Sequence, residues 1–154
     1  MQGDATIAAD ASVRPASQWA FFVCGERGFA VPLERVAEIL PPQAATRLPG
    51  CGPVVHGLVG FRGRVITVFD LGVIAGQQPA AQHADYRVVF VRHAGRLFGF
   101  IVEAMVTIAP ADNRTGTVDA PGGLKNGDVR GTVPHEGRPF LELDVDHLLG
   151  RLLA

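Results

Sequence analysis

The sequence has few of the residues and patterns that mark several large classes of protein. Its 154 residues include only two cysteines, Cys24 and Cys51, which is too few for a disulfide framework and favours a reducing compartment with two free thiols. No apolar run approaches the roughly 18 residues that a membrane-spanning helix requires. The N-terminus lacks the basic start and apolar core of a secretory signal. These shortages predict a cytoplasmic protein with no direct insertion into a membrane.

An excess of positive charge is also missing. The 14 Lys and Arg residues are balanced by 15 Asp and Glu, which leaves a net charge of −1. Proteins that bind nucleic acid need a positive field to attract phosphates, so we expect no nucleic-acid partner. With 47% apolar residues the chain can bury a real core, and its 19 glycines and 11 prolines are typical of many short strands separated by turns.

The sequence contains no convincing catalytic constellation. Its five histidines are scattered over predicted loops and strand ends. Cys51 lies near His56, but neither an orienting carboxylate nor an activating helix N-terminus accompanies the pair. The glycine patterns match neither the dinucleotide-binding fingerprint nor the phosphate-binding loop. We therefore expect no catalytic residue and no cofactor.

One grouping near the C-terminus has residue types that bind metals. Asp144, Asp146 and His147 lie almost adjacent in the sequence, but no further ligand with a definite spacing accompanies them. We expect no metal site here, and keep a small metal-dependent hydrolase built on these residues as a remote alternative.

The clearest structural pattern is a hairpin within residues 56–72, HGLVGFRGRVITVFDLG. After Gly63, Val65, Thr67 and Phe69 alternate with Ile66, Val68 and Asp70, and before the turn Leu58, Val59 and Phe61 form the incoming strand. Such alternation around a glycine that can adopt positive φ is typical of two antiparallel strands joined by a tight turn. We predict Arg62 and Gly63 at the tip of this hairpin.

Much of this stretch occurs twice in the chain. GLVGFRGRVITVFDL (57–71) aligns without a gap with GTVPHEGRPFLELDV (131–145), so that Arg64 matches Arg138 and Asp70 matches Asp144. Upstream, FAVPLERVAEI from residue 29 aligns in the same way with FGFIVEAMVTI from residue 98. An aspartate that recurs at the end of a hairpin strand is most simply a strand-end hydrogen-bonding group.

The duplication predicts an all-β fold with short helices. Each copy has the order strand, strand, polar connection, hairpin, which suits a small closed barrel, and a period this long indicates two related subdomains. The polar segment 76–85 is the approximate boundary between the repeats. We expect residues 1–17, rich in Ala, Asp and Ser, to form a flexible tail before a domain at 18–154.

The second copy also serves as a control for the function of Arg62. Glu136 stands at the equivalent position, so the hairpin does not need arginine for its geometry and the guanidinium is available for recognition. A solvated turn residue is an equally simple interpretation. Val36 and Glu38 could form an apolar spot with a charged edge nearby, although burial of Val36 in the core is as simple.

These residues resemble a known family. FFVCGERGFAVPLERVAEIL, then RLPG and VHGLVGFRGRVITVFDLG, is similar to the CheW-like domain of bacterial chemosensory systems, from about residue 20 to the C-terminus. The resemblance implies two five-stranded SH3-like β-barrels around a shared core, and no enzymatic activity. The family commonly has Asn-Leu before the Arg-Gly pair, whereas this chain has Gly60 and Phe61, which alters the surface beside Arg62.

The resemblance also implies a function. Members are adaptors that join the cytoplasmic tip of methyl-accepting chemoreceptors to the regulatory domain of a CheA-type histidine kinase, in the cytoplasm at membrane receptor arrays. An adaptor of a type IV pilus or other non-flagellar chemosensory pathway is the alternative. Because no receiver domain occurs within the 154 residues, we expect a single-domain adaptor. Carried over by position, the receptor-facing residues are Val36, Glu38, Gly57, Arg62 and Val88 with its strand; kinase-contacting residues are not assigned.

Overall fold

The computed structural model describes residues 17–111, 116 and 119–154. The predicted tail lies outside the described residues, except for Ser17, which begins the first strand. The strands are β1 (Ser17–Cys24), β2 (Arg27–Pro32), β3 (Val36–Leu40), β4 (Val55–Phe61), β5 (Arg64–Asp70), β6 (Arg87–His93), β7 (Arg96–Val102), β8 (Ala104–Ala111), β9 (Val129–His135) and β10 (Arg138–Leu143). The helices are α1 (Leu71–Ile74) and α2 (Val145–Leu152), with 3₁₀ turns at Leu33–Arg35 and Ala80–Gln82.

The strands form two five-stranded sheets, each an SH3-like barrel. The first barrel has the strand order β9-β10-β2-β1-β8, and the second has the order β3-β6-β7-β5-β4. The predicted fold, mainly β with two small barrels and short helices, is confirmed. The longer of the two α-helices in the described part of the chain has eight residues, and no described helix could span a membrane.

The two sequence copies exchange their first hairpins. The β1–β2 hairpin of the first copy lies in the first barrel with β8, β9 and β10 of the second copy, and the β6–β7 hairpin of the second copy lies in the second barrel with β3, β4 and β5. Parallel pairing of β10 with β2 and of β5 with β7 joins each exchanged hairpin to its barrel. The segment 76–85 therefore separates the repeats along the chain, but it does not separate the barrels.

The exchanged hairpins are buried on both faces. In β1, Trp19 and Phe21 pack with Phe140 inside the first barrel. Phe22 points the opposite way, into a larger core that extends through the second barrel. In β6, residues 88–91 are likewise all buried. Burial of alternate side chains on opposite faces thus places the exchanged strand between a small core inside the first barrel and a larger core that both barrels share.

Cys24 belongs to the larger core. Burial raises the pKa of its thiol to about 12, so the thiolate is disfavoured at neutral pH. Cys51 is exposed, and both are free cysteines.

The duplicated aspartates end their strands by capping helices, which confirms their predicted role. Asp70 is buried, and its carboxylate accepts hydrogen bonds from the backbone N–H groups of Val73 at 3.2 Å, Ala80 at 2.9 Å and Ala81 at 3.1 Å. Asp144 accepts one such bond, from the third residue of α2, at 3.0 Å. Asp70 therefore anchors both α1 and the 3₁₀ turn that follows it.

We expect Asp70→Ala to destabilise the fold more than Asp144→Ala. Loss of the Asp70 carboxylate leaves buried N–H donors without a partner, at a cost of about 3 kcal/mol, whereas loss of a single helix cap costs about 1 kcal/mol. Urea unfolding of the two variants and the wild type measures both values. Equal costs, or a larger cost at Asp144, would contradict this assignment.

Candidate functional site

The hairpin tip between β4 and β5 has a backbone that does not depend on its side chain. Arg62 and Gly63 adopt left-handed φ values of 50° and 75°. The equivalent first residues of two other two-residue turns, Ala94 and Glu136, have φ values of 51° and 50°. Since alanine, glutamate and arginine adopt the same conformation, the guanidinium of Arg62 is not required to shape the turn.

The side chain of Arg62 lies beside Glu38 on the neighbouring surface of the second barrel. Its Nη2 is 3.6 Å from Oε1 of Glu38, with the two side chains 74% and 32% exposed. The guanidinium also lies over the ring of Phe61, 4.7 Å from its centre. An exposed pair of this kind contributes at most about 1 kcal/mol to stability. Its main effect is to hold the guanidinium in one orientation at the surface.

The remaining residues implied by the resemblance lie deeper. Val36 is half-buried against the core. Gly57 is buried at φ 149°, where a Cβ atom would lie 2.6 Å from the carbonyl oxygen of Thr46, so any side chain would push the loop and strand apart. Val88 has no exposed surface and lies opposite Leu40.

The resemblance implied that Val88 faces the receptor. The structure instead places Val88 in the core, where it cannot contact a partner directly. The sequence did not reveal this, because all of residues 88–91 are apolar and β6 shows no alternation between an inner and an outer face.

A groove of about 370 Å³ lies next to the Arg62–Glu38 pair. The tip of the β4–β5 hairpin forms one wall, and the exchanged β6–β7 hairpin forms another. Arg92 and Arg96, about 30 residues away in sequence, therefore line the same groove as Arg62 and Arg64. Sequence reasoning missed Arg92 and Arg96. A comparison of the two copies position by position would have found Arg92, since Val23 occupies its place in the first copy.

A second polar cluster joins the 3₁₀ turn Leu33–Arg35 to α2. Arg35 donates two hydrogen bonds to the Asp146 carboxylate, at 2.6 and 2.9 Å, and the same carboxylate lies 2.7 Å from Nδ1 of His93. The hydrogen bonds from Arg35, followed by that from His93, hold the pKa of Asp146 well below its usual range. Because α2 follows β10 of the first barrel and His93 ends β6 of the second, the cluster ties the two barrels together.

The three residues of the hydrolase alternative each have a partner within the protein. Asp144 caps α2, Asp146 binds Arg35, and Nδ1 of His147 lies 2.8 Å from Oδ1 of the buried Asp128. Within residues 17–111, 116 and 119–154, no group of three or more His, Cys, Asp or Glu side chains is placed to hold a metal ion.

The depressed pKa of Asp146 predicts a pH-dependent contribution to stability. The folded-state pKa lies below the unfolded one, so the contribution is complete above the unfolded pKa of about 4 and is lost as the pH falls further into the acid range. We expect the Asp146→Asn substitution to lower the free energy of unfolding by about 1 kcal/mol at pH 7. The value is small because the carboxylate is half exposed.

Urea unfolding between neutral and acid pH tests this expectation. The difference in the free energy of unfolding between the Asp146→Asn variant and the wild type should become smaller below about pH 4. Asp85→Asn, at an exposed residue of the 76–85 segment, is the control and should follow the wild type throughout. A gap that stays constant with pH would show that the charge of Asp146 is not involved.

The fold and the surface can now be compared with known proteins. Residues 18–152 match the family model of the CheW-like domain. The chain belongs to this family. The resemblance inferred from the sequence is thereby confirmed.

Individual relatives agree with this assignment. The chemotaxis protein CheW of Helicobacter pylori is 30% identical over 88 residues, covering 57% of this chain and 53% of that protein. Protein PilI of Pseudomonas aeruginosa is 33% identical over 82 residues, covering 53% and 46%. The chain thus matches about half the length of these two relatives. The crystal structure of the scaffolding protein TtCheW from Thermoanaerobacter tengcongensis superposes with a TM-score of 0.78, covering 86% of this chain and 92% of that one at 21% identity, which shows the same fold.

Proposed function

We propose that the chain is a non-catalytic adaptor of a bacterial chemosensory signalling complex. In this proposal it couples the cytoplasmic tip of methyl-accepting chemoreceptors to the regulatory domain of a CheA-type histidine kinase, on the cytoplasmic side of the membrane at receptor arrays. Membership of the CheW-like family supports the proposal. Its partners are proteins, and it needs neither a cofactor nor a metal.

The observation that carries the proposal is the exposed Arg62–Glu38 pair at a rigid hairpin tip. An arginine at this position contributes little to the fold, since the same turn forms with Glu136. A guanidinium held by a carboxylate and an aromatic ring is pre-oriented, so less conformational entropy is lost when it binds a partner. We assign receptor contact to Arg62, Glu38 and the exposed part of Val36.

The two buried residues of the implied site support that surface from below. Gly57 allows β4 to approach Thr46 closely. Val88 fills the core beneath β3. Substitution of either residue would change receptor binding by moving β3 or β4, and would also lower stability. This dual effect distinguishes them from Arg62.

Reversing the charge at Arg62 tests the receptor surface. We expect Arg62→Glu to weaken binding of a receptor signalling fragment at least about tenfold. The substitution replaces the cation with a second negative charge beside Glu38. Its melting temperature should stay within about 2 °C of the wild type, because an exposed ion pair stabilises little. Titration calorimetry and thermal unfolding measure the two quantities.

Glu136→Arg is the matched control, since it reverses charge at the equivalent turn of the first barrel. It should leave receptor binding unchanged. A large loss of melting temperature in the Arg62→Glu variant would make Arg62 a structural residue. Wild-type protein that fails to co-sediment with both a receptor fragment and a CheA-type kinase, in an assay where another CheW protein succeeds, would refute the adaptor function.

A second candidate is an adaptor of a type IV pilus or other non-flagellar chemosensory pathway. The 33% identity to PilI over 82 residues favours it. The same surface serves either pathway, so the two differ only in the partners bound. Co-sedimentation with the receptor and kinase of a pilus pathway, but not with those of a flagellar pathway, would select this candidate.

A further inference from the structure

The groove beside Arg62 concentrates positive charge on a chain that is otherwise slightly acidic. Its lining carries four guanidinium groups, from Arg62, Arg64, Arg92 and Arg96, and one carboxylate, from Glu38. The local charge is therefore +3, whereas the whole chain has a net charge of −1. All four arginines are exposed. Clustered like charges repel one another, so a cluster retained on the surface favours a partner of opposite charge.

The equivalent positions of the other barrel show which of these charges occur in both barrels. Arg64 and Arg96 begin the second strands of their hairpins, and Arg138 and Arg27 stand at the same positions in the first barrel. These two arginines are therefore common to both barrels. They match in sequence register and in strand pairing.

Most of the charges that differ make the second barrel more positive, the exception being Glu38, which corresponds to Thr107. Arg62 corresponds to Glu136, and Arg92 corresponds to Val23. At the turn between the exchanged strands, Gly95 corresponds to Glu26. The equivalent surface of the first barrel is thus close to neutral. The excess of arginine is a property of this one groove and not of the fold.

Besides Arg62, two of the groove arginines make contacts that hold them in place. Nη1 of Arg92 donates to the carbonyl oxygens of Glu34 at 3.0 Å and Val36 at 3.2 Å. The guanidinium of Arg96 lies 5.5 Å from the ring centre of Phe98. Each guanidinium has five N–H donors in a planar fork, so such contacts leave donors to receive a carboxylate. Apolar surface from Phe61 and Leu97 lies between the charges.

We propose that this groove binds an acidic, amphipathic segment of the receptor. Its Asp or Glu carboxylates bind the guanidinium groups of Arg64, Arg92 and Arg96, and its aliphatic side chains pack on Phe61 and Leu97. The proposal rests on the proposed function, because it states the chemistry of a protein that docks on the same surface. A groove of about 370 Å³ whose lining includes apolar side chains suits a peptide better than a nucleic acid or a lipid surface, and the overall charge of −1 opposes long polyanions.

A pair of synthetic probes tests the chemistry directly. The first is a fluorescent amphipathic helical peptide with glutamates on one face and leucines on the other, and the second is the same peptide with every glutamate replaced by glutamine. We expect the full chain to bind the glutamate peptide at least about tenfold more tightly. This preference should fall as NaCl is raised from about 0.05 to about 0.5 M, because the charges are exposed and screened by salt.

Two double variants with the same change in net charge locate the binding site. Arg64→Glu with Arg96→Glu alters the groove, and Arg138→Glu with Arg27→Glu alters the equivalent positions of the first barrel. The groove variant should lose at least about tenfold in affinity for the glutamate peptide, while the control retains wild-type affinity. Circular dichroism and melting temperatures should match for the two variants, since all four arginines are exposed.

Several outcomes would overturn the proposal. These are no binding of the glutamate peptide by the wild type, equal binding of the two peptides, or equal loss in both double variants. Binding of phosphatidylglycerol vesicles or single-stranded DNA through Arg64 and Arg96, in place of the glutamate peptide, would assign the groove to another kind of polyanion.

A receptor signalling fragment separates this proposal from the adaptor function. If the fragment binds the wild type and the groove variant equally, the acidic-segment proposal fails and the adaptor function stands. If the fragment does not bind the wild type but the glutamate peptide binds through the groove, the adaptor function fails and the groove chemistry stands.

Discussion

Burial of two central hairpins on both faces is the constraint on which the rest of this structure depends. Strands β1 and β6 each bury consecutive side chains on opposite sides. Neither barrel can therefore be removed without exposing apolar surface of its neighbour, at roughly 25 cal/mol per Å² of apolar area. The barrels form one cooperative unit, although the sequence consists of two copies of one pattern.

The exchange of hairpins also creates the arginine-lined groove. Arg62 and Arg64 come from the first copy of the sequence, while Arg92 and Arg96 come from the second. If each copy folded on its own, these pairs would lie on different barrels. The groove exists because the β6–β7 hairpin of the second copy pairs with β3 and β5 of the first. The two copies differ at a few positions, so one groove is basic and the equivalent surface of the first barrel is near neutral.

Polar contacts at the barrel junction complement the apolar interior. Asp146 receives hydrogen bonds from Arg35 and lies against His93, which orients α2 relative to the end of β6. Glu103 links the turn at Gly25 to the segment between the repeats, because its carboxylate accepts from the Gly25 N–H at 2.7 Å and lies 3.3 Å from Nε2 of His83. Such contacts add directional preference to an interface that apolar burial alone would leave free to slide.

Sequence reasoning succeeded where the determinants are local. The Arg62–Gly63 turn follows from alternation and a glycine at positive φ, and the capping aspartates follow from recurrence at a strand end. The resemblance placed Val88 among the receptor-facing residues, but Val88 is buried, and a strand buried on both sides presents no pattern that separates its faces.

By itself, then, the amino-acid sequence determined the β class, the duplication, the hairpin turns and the family, since each depends on residue order within one short segment. Only the tertiary structure decided which hairpin belongs to which barrel, and hence that four arginines share one groove. Strand pairing between distant segments is governed by the apolar surface that the assembled sheets bury together. Two copies of one pattern carry no local signal that distinguishes pairing within a copy from pairing between copies.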